Sequence, residues 1–222
     1  MIVVAIIAIL AAVAIPGLLR SRIGANEASA LGSLKSIVAG QECFKIANAV
    51  DLNADGQGEY GFLQEISGAN QCRTDNAGTC NGGNFGPSPF VPRMLGNVNA
   101  NNQGLKAGYL FIVYLPATAN SSTALYPSPV DIPEATSSYM AYAFPESGGR
   151  SGTRVFCAHF TGSIFSWPNS NNTYSTPTNF PAYDALLGDN DGKVGVDWND
   201  GPDVGGPGQT GVAGQVWASP GG

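Results

Sequence analysis

The chain opens on an unbroken apolar run, Ile2 to Leu19, that carries no charge and has Pro16 as its strongest helix breaker. As an α-helix these residues rise about 27 Å, close to the roughly 30 Å hydrocarbon core of a bilayer. Each large apolar side chain loses about 1.5–3 kcal/mol when left in water, so the run as a whole is unstable there by tens of kcal/mol. Ile2, Val3, Val4, Ile6, Ile7, Ile9, Leu10, Val13, Ile15, Leu18 and Leu19 must therefore be covered by lipid or by other apolar helices. A chain with such an end folds as two parts with different solvents.

The helix has no reason to stop at Leu19. Ile23, Ala30, Leu34, Ile37 and Phe44 recur at helical spacing, whereas Arg20, Glu27, Lys35, Glu42 and Lys45 fall at other positions. This predicts an apolar half-helix over residues 1–24 and an amphipathic half over 25–50, ending near Ala49. Pro16 removes a backbone donor and is expected to bend or loosen the helix, with Gly17 and Gly24 adding weakness.

Strand signals come late. Tyr109–Leu115 is a buried-strand run between Gly108 and Pro116; Ser138–Phe144, Thr153–Phe160 and Gly162–Trp167 follow, the last two joined by a turn at Thr161-Gly162. Short connections predict an antiparallel meander, and the helical stripe needs a face such as this to cover it. The expected fold is α+β: a long N-terminal α-helix packed on an antiparallel β-meander over 107–179. A connecting loop region spans 51–106, and a Gly/Asp-rich loop and tail spans 180–222.

The net charge is −6, divided as +2 over residues 1–50 and −8 beyond. No basic patch exists, which argues against a nucleic-acid partner. The four cysteines, Cys43, Cys72, Cys80 and Cys157, form no CxxC pair, and the one histidine, His159, cannot complete a Cys2His2 zinc site. In an oxidising compartment they make two disulfides in one of three connectivities. Cys72 and Cys80 bracket a polar loop that can close on itself, leaving Cys43 for Cys157; four reduced thiols are the competing reading. Compartment and topology conflict. Arg20 and Arg22 follow the apolar run, and basic flanks stay cytoplasmic, where disulfides do not persist. A cleaved signal peptide, with Ala12-Val13-Ala14 as its site, lacks the basic n-region it needs.

Two oxygen-rich segments invite calcium. Asp51, Asn53, Asp55, Gly56 and Glu59 begin like a calcium-binding loop, but the twelfth position is Phe62 rather than a bidentate Glu. A helix-ending turn of Asp, Asn and Gly accounts for the same residues. Asp189, Asp191 and Asp197, with Asn199 and Asp200, form the second cluster, whose spacing matches no EF-hand. Gly56–Gly61 spells GxGxxG but follows a helix instead of a strand, which fails the context of a dinucleotide site. Cys157 and His159 alternate on one strand and share a face, yet no orienting group accompanies them. No nucleophile–base constellation is present, so the chain reads as a structural protein and not an enzyme.

The segment IVVAIIAILAAVAIPGLLRSR resembles the N-terminal helix of type IV pilins and type II secretion pseudopilins. NEASALGSLKSI, DGQGEYGFLQEI, AGYLFIVYLP and SYMAYAFPESGGRSGTRVFCAHFTGSIFSW are similar to later parts of bacterial members with a longer β-domain. The resemblance implies a helical filament of identical subunits, stored in the inner membrane, drawn out by pilus or secretion machinery, and displayed at the cell surface or in the periplasm. It also implies a basic leader ending in Gly and a Phe-Thr-Leu-Ile-Glu-Leu stretch ahead of Met1, which makes Met1 an internal methionine; a true start is the alternative. Calcium in the C-terminal loops of major pseudopilins raises the second acidic cluster. A pseudopilin and a membrane-tethered extracellular binding module are the alternatives to a pilus subunit.

Overall fold

A computed structural model describes residues 2–74, 89–117, 121–123, 126, 128–169, 172, 174–178 and 180–181. The first element, α1, is a single α-helix over Ile2–Ile46, 45 residues long, and it continues through Pro16. At about 1.5 Å per residue it extends roughly 67 Å. It ends three residues before the expected Ala49, where Asn48 adopts a left-handed φ of 49° and reverses the chain. Gly58 then passes so close to the helix end that a Cβ there would lie 2.1 Å from the Lys45 carbonyl oxygen.

Six strands follow: β1 (Gly104–Lys106), β2 (Tyr109–Ala117), β3 (Ser121–Thr123), β4 (Met140–Pro145), β5 (Arg154–His159) and β6 (Ile164–Pro168). They form an antiparallel sheet in the order β1-β2-β4-β5-β6, with β3 paired to the far end of β2. The register runs from Tyr109 opposite Pro145 to Tyr114 opposite Met140, and Val155 lies opposite Trp167. The α+β architecture and the four long strands agree with the sequence. Strand β1 does not: it lies inside the expected loop region, paired to β2 through a two-residue turn at Ala107-Gly108. Both turn residues have positive φ, 50° and 73°, the twist a tight hairpin needs. With three residues and an exposed Leu105, β1 has too little apolar pattern to be read. Two short helices, α2 (Leu63–Ile66) and α3 (Ile132–Ser137), and a 3-10 turn at Arg93–Gly96 complete the fold.

Both faces of the sheet are buried, which is why Tyr109–Leu115 reads as a continuous apolar run rather than an alternating one. Tyr109, Phe111, Val113, Ala141, Ala143, Phe156 and Ala158 face α1, which covers them with Ala30, Leu34, Ile37 and Phe44. The three alanines leave room for the helix to lie close. The opposite face carries Leu110, Ile112, Tyr142, Phe144, Val155, Cys157 and Trp167, packed against Tyr174 and Phe180. The Tyr114 hydroxyl donates to the Pro181 carbonyl at 3.0 Å, so a strap after β6 closes this second layer.

This layering overturns one expected disulfide. Cys43 is exposed on α1, whereas Cys157 is buried on the sheet face turned away from α1, and both are free thiols. The two-residue period of β5 puts Phe156 and Ala158 toward the helix and Cys157 away from it. Cys80 lies outside the described residues.

Candidate functional site

Among the described residues, the apolar half of α1 up to Leu18 stands clear of the sheet domain. Ile2, Val3, Val4, Ile6, Ile7, Ile9, Leu10, Val13, Ile15, Leu18 and Leu19 are all more than half exposed, from 52% at Ile6 to 78% at Ile2. Pro16 lies among them and is exposed too. The helix is long and apolar enough to cross a membrane, and none of its most apolar stretch is buried within the chain. The predicted stripe is present, but burial sets in only at Ala30, with Ile23 half-buried.

Between bare and docked halves lies a polar junction. The Asn26 amide donates to the Ser151 carbonyl at 2.9 Å. Glu27 Oε1 accepts from the Thr153 backbone N–H at 2.9 Å and from its hydroxyl at 2.8 Å, while Oε2 stands 3.8 Å from Arg154 Nε. Lys106 Nζ donates to Ser33 Oγ at 2.7 Å. Deeper in, Gln41 is fully buried and pairs with Gly61 as a strand would: its amide donates to the Gly61 carbonyl at 2.7 Å, and its oxygen accepts the Gly61 N–H at 3.0 Å. Two backbone groups that the connecting segment would otherwise bury unpaired are satisfied by the helix.

The candidate calcium ligands divide. Asp51 accepts the backbone N–H of Asp55 at 3.2 Å and of Gly56 at 3.0 Å, and Asp55 accepts that of Gln57 at 2.7 Å. Asn53 donates to Asp55 Oδ2 at 2.7 Å. These carboxylates shape an Asx turn at the helix end. Glu59 leaves them. Its side chain is fully buried, accepts Leu52 N–H at 2.9 Å, and pairs with Arg73 Nη2 at 2.9 Å. Among the described residues no group of three His, Cys, Asp or Glu side chains is placed to hold a metal ion. Asp189, Asp191 and Asp197 lie outside the described residues.

The cluster that takes Glu59 was not legible in the sequence. Arg73 sits fully buried between Glu59 and Glu65, with Nη1 2.5 Å from Glu65 Oε2 and Nη2 also donating to the Tyr60 carbonyl at 2.8 Å. Glu65 further accepts the N–H of Phe62 and of Arg73, both at 2.8 Å, capping α2. The two carboxylates hold the Arg73 guanidinium above its ordinary pKa against the opposing effect of burial. Only the capping spacing from Phe62 to Glu65 leaves a trace in sequence; a buried arginine beside Cys72 leaves none.

Cys157 and His159 do not make a reactive pair. Burial pushes the Cys157 thiol well up and lowers His159 to about 4, so both are neutral near pH 7. His159 Nδ1 lies 3.2 Å from the Thr161 hydroxyl, and the ring lies tilted against Phe160 with centroids 4.0 Å apart. A nucleophile needs the opposite conditions, a lowered thiol beside a base. No protein-family model, curated protein or solved structure matches the chain.

Proposed function

We propose that the chain is a structural subunit of a type IV pilus-like helical filament. Ile2–Leu19 holds it in the inner membrane of a bacterium before assembly. The same residues then pack against copies of themselves in the filament core, and the sheet domain faces outward at the cell surface. The observation that carries this reading is one uninterrupted helix, bare over its apolar half and docked over its other half. A helix that projects from its own domain can enter lipid or a bundle without unfolding that domain. No step of this reading requires catalysis.

The test is assembly. The chain is expressed behind a basic leader ending in Gly and the Phe-Thr-Leu-Ile-Glu-Leu stretch, together with a prepilin peptidase and type IV assembly machinery. It is expected in filaments sheared from the cells. A version with the order of Ile2–Leu19 scrambled is expected to stay in the membrane and not assemble, because a helix core needs matched side chains whereas lipid needs only hydrophobicity. A processed wild-type chain that never enters filaments sinks the proposal. A scrambled chain that behaves as the wild type identifies a membrane tether instead.

A further inference from the structure

Beside the junction, α1 and two turns of the sheet enclose an open groove of about 640 Å³. Leu19, Ile23 and the Ala107-Gly108 turn form its apolar part, and Arg22 and Arg150 stand at its rim. We propose that this groove docks the headgroup of an anionic phospholipid while Ile2–Leu19 is in the bilayer. The inference rests on the membrane-stored stage of the function proposed above.

Depth is the first argument. With Leu19 at the edge of the hydrocarbon, Arg20 and Arg22 lie about 1.5 and 4.5 Å further along the axis, within a headgroup layer roughly 5–8 Å deep. The groove lies beside the same turn of helix, so the domain's nearest surface enters the same layer.

Charge is the second. The chain is acidic overall, with net charge −6. Its described cations elsewhere are mostly engaged: Arg73 and Arg154 with carboxylates, Arg93 with the Gly68 carbonyl, Lys106 with Ser33, and Lys45 over the Tyr60 ring. The guanidiniums of Arg20, Arg22 and Arg150 are exposed and make no hydrogen bond or ion pair among the described residues. Of the nearby carboxylates, Glu27 is held by Thr153 and Arg154, and Glu146 is exposed at the start of the Arg150 loop. Among the described residues the groove itself is lined by two uncommitted guanidiniums, Arg22 and Arg150, and such groups bind phosphate in bidentate fashion. Leu19 and Ile23 suit the glycerol and first methylenes of the same lipid.

The full-length chain is reconstituted into vesicles of phosphatidylcholine alone and of phosphatidylcholine mixed equally with phosphatidylglycerol. Flotation after an alkaline wash reads insertion. Mass spectrometry of the detergent-extracted protein then counts the lipids it retains. Insertion is expected in both vesicles, with phosphatidylglycerol retained over phosphatidylcholine. Arg22→Gln and Arg150→Gln each reduce that preference about fivefold, as expected for one basic residue at an anionic surface. Lys35→Gln, about 24 Å beyond Leu19, leaves it unchanged. Inorganic phosphate alone is expected not to bind lipid-free protein saturably; if it does so through Arg22 and Arg150, the groove is a free-anion site and the lipid proposal falls. Equal retention of the two lipids, or a double variant that retains phosphatidylglycerol as the wild type does, also overturns it. Self-association in lipid-free detergent that needs both arginines places a second copy in the groove and overturns it as well. Flotation without lipid preference defeats this inference alone, whereas failure to float with either vesicle defeats the membrane stage on which it rests.

Discussion

Replacing Arg73 by Met tests the buried ion cluster most directly. Arg73, Glu59 and Glu65 have no side-chain exposure, and two carboxylates share one guanidinium at 2.9 and 2.5 Å. Removing the arginine leaves two buried carboxylates with only the backbone donors of Leu52, Phe62 and residue 73. Breaking a buried pair from one side costs about 3–5 kcal/mol, because the remaining charge has lost its compensation. That is a large part of the roughly 5–15 kcal/mol that holds an ordinary domain together. In urea unfolding of the full chain in detergent, followed by far-UV circular dichroism, the midpoint falls by about 2 M at a slope near 2 kcal/mol/M. Adding Glu59→Gln and Glu65→Gln removes the uncompensated charge while keeping acceptor oxygens, and recovers at least about half of the loss. A loss below about 1 kcal/mol for Arg73→Met would show that water reaches the cluster. A triple variant no better than the single one would show that the shape of arginine, and not its charge, is what the core needs.

Two further outcomes follow from other parts of the chain. His159 has a native pKa of about 4 against an ordinary 6.5, so the unfolded chain binds a proton the folded one refuses. Stability is therefore complete above pH 6.5 and falls by up to about 3 kcal/mol as the pH drops to 4, and urea midpoints of His159→Gln should lack that slope. Two glycines should behave oppositely: Gly24, whose Cβ would meet nothing within 4 Å, gains about 0.5–1 kcal/mol on mutation to Ala, while Gly58→Ala is destabilising because its Cβ would lie 2.1 Å from the Lys45 carbonyl oxygen. Thermal melts of the two variants in the same detergent decide this.

The elements that could be read in the sequence are those whose burial is one-dimensional. The stripe Ala30, Leu34, Ile37 and Phe44 repeats at the helical period, and each long strand is an apolar run between turn residues. What escaped depends on contacts between distant segments. The pairing of Cys43 with Cys157 fails because the sheet's two-layer burial turns Cys157 away from the helix. Glu59 looked like a loop ligand because its neighbours Asp51, Asn53 and Asp55 are a turn; its partner Arg73 is fourteen residues on, beyond any local rule. Gln41 is held inside by Gly61, twenty residues further on, which no local pattern announces. The bare half of α1 was legible because nothing in the chain was needed to explain it.

The attachment of α1 to the sheet strengthens with distance from the bare half. At Asn26 and Glu27 the contacts are polar and partly open to solvent. From Ala30 to Phe44 they are apolar and buried, with Gln41 locked to Gly61 inside. Before Asn26 the helix has no such support, and Pro16 removes the donor that the Ala12 carbonyl would otherwise accept. Gly17 and Gly24 lower its intrinsic stability by about 1 kcal/mol each relative to alanine. Local opening begins where side-chain contacts are few and backbone bonds are weak. A load passed between the apolar half and the domain, as the proposed extraction from lipid into a filament requires, is therefore accommodated between Ala12 and Gly24.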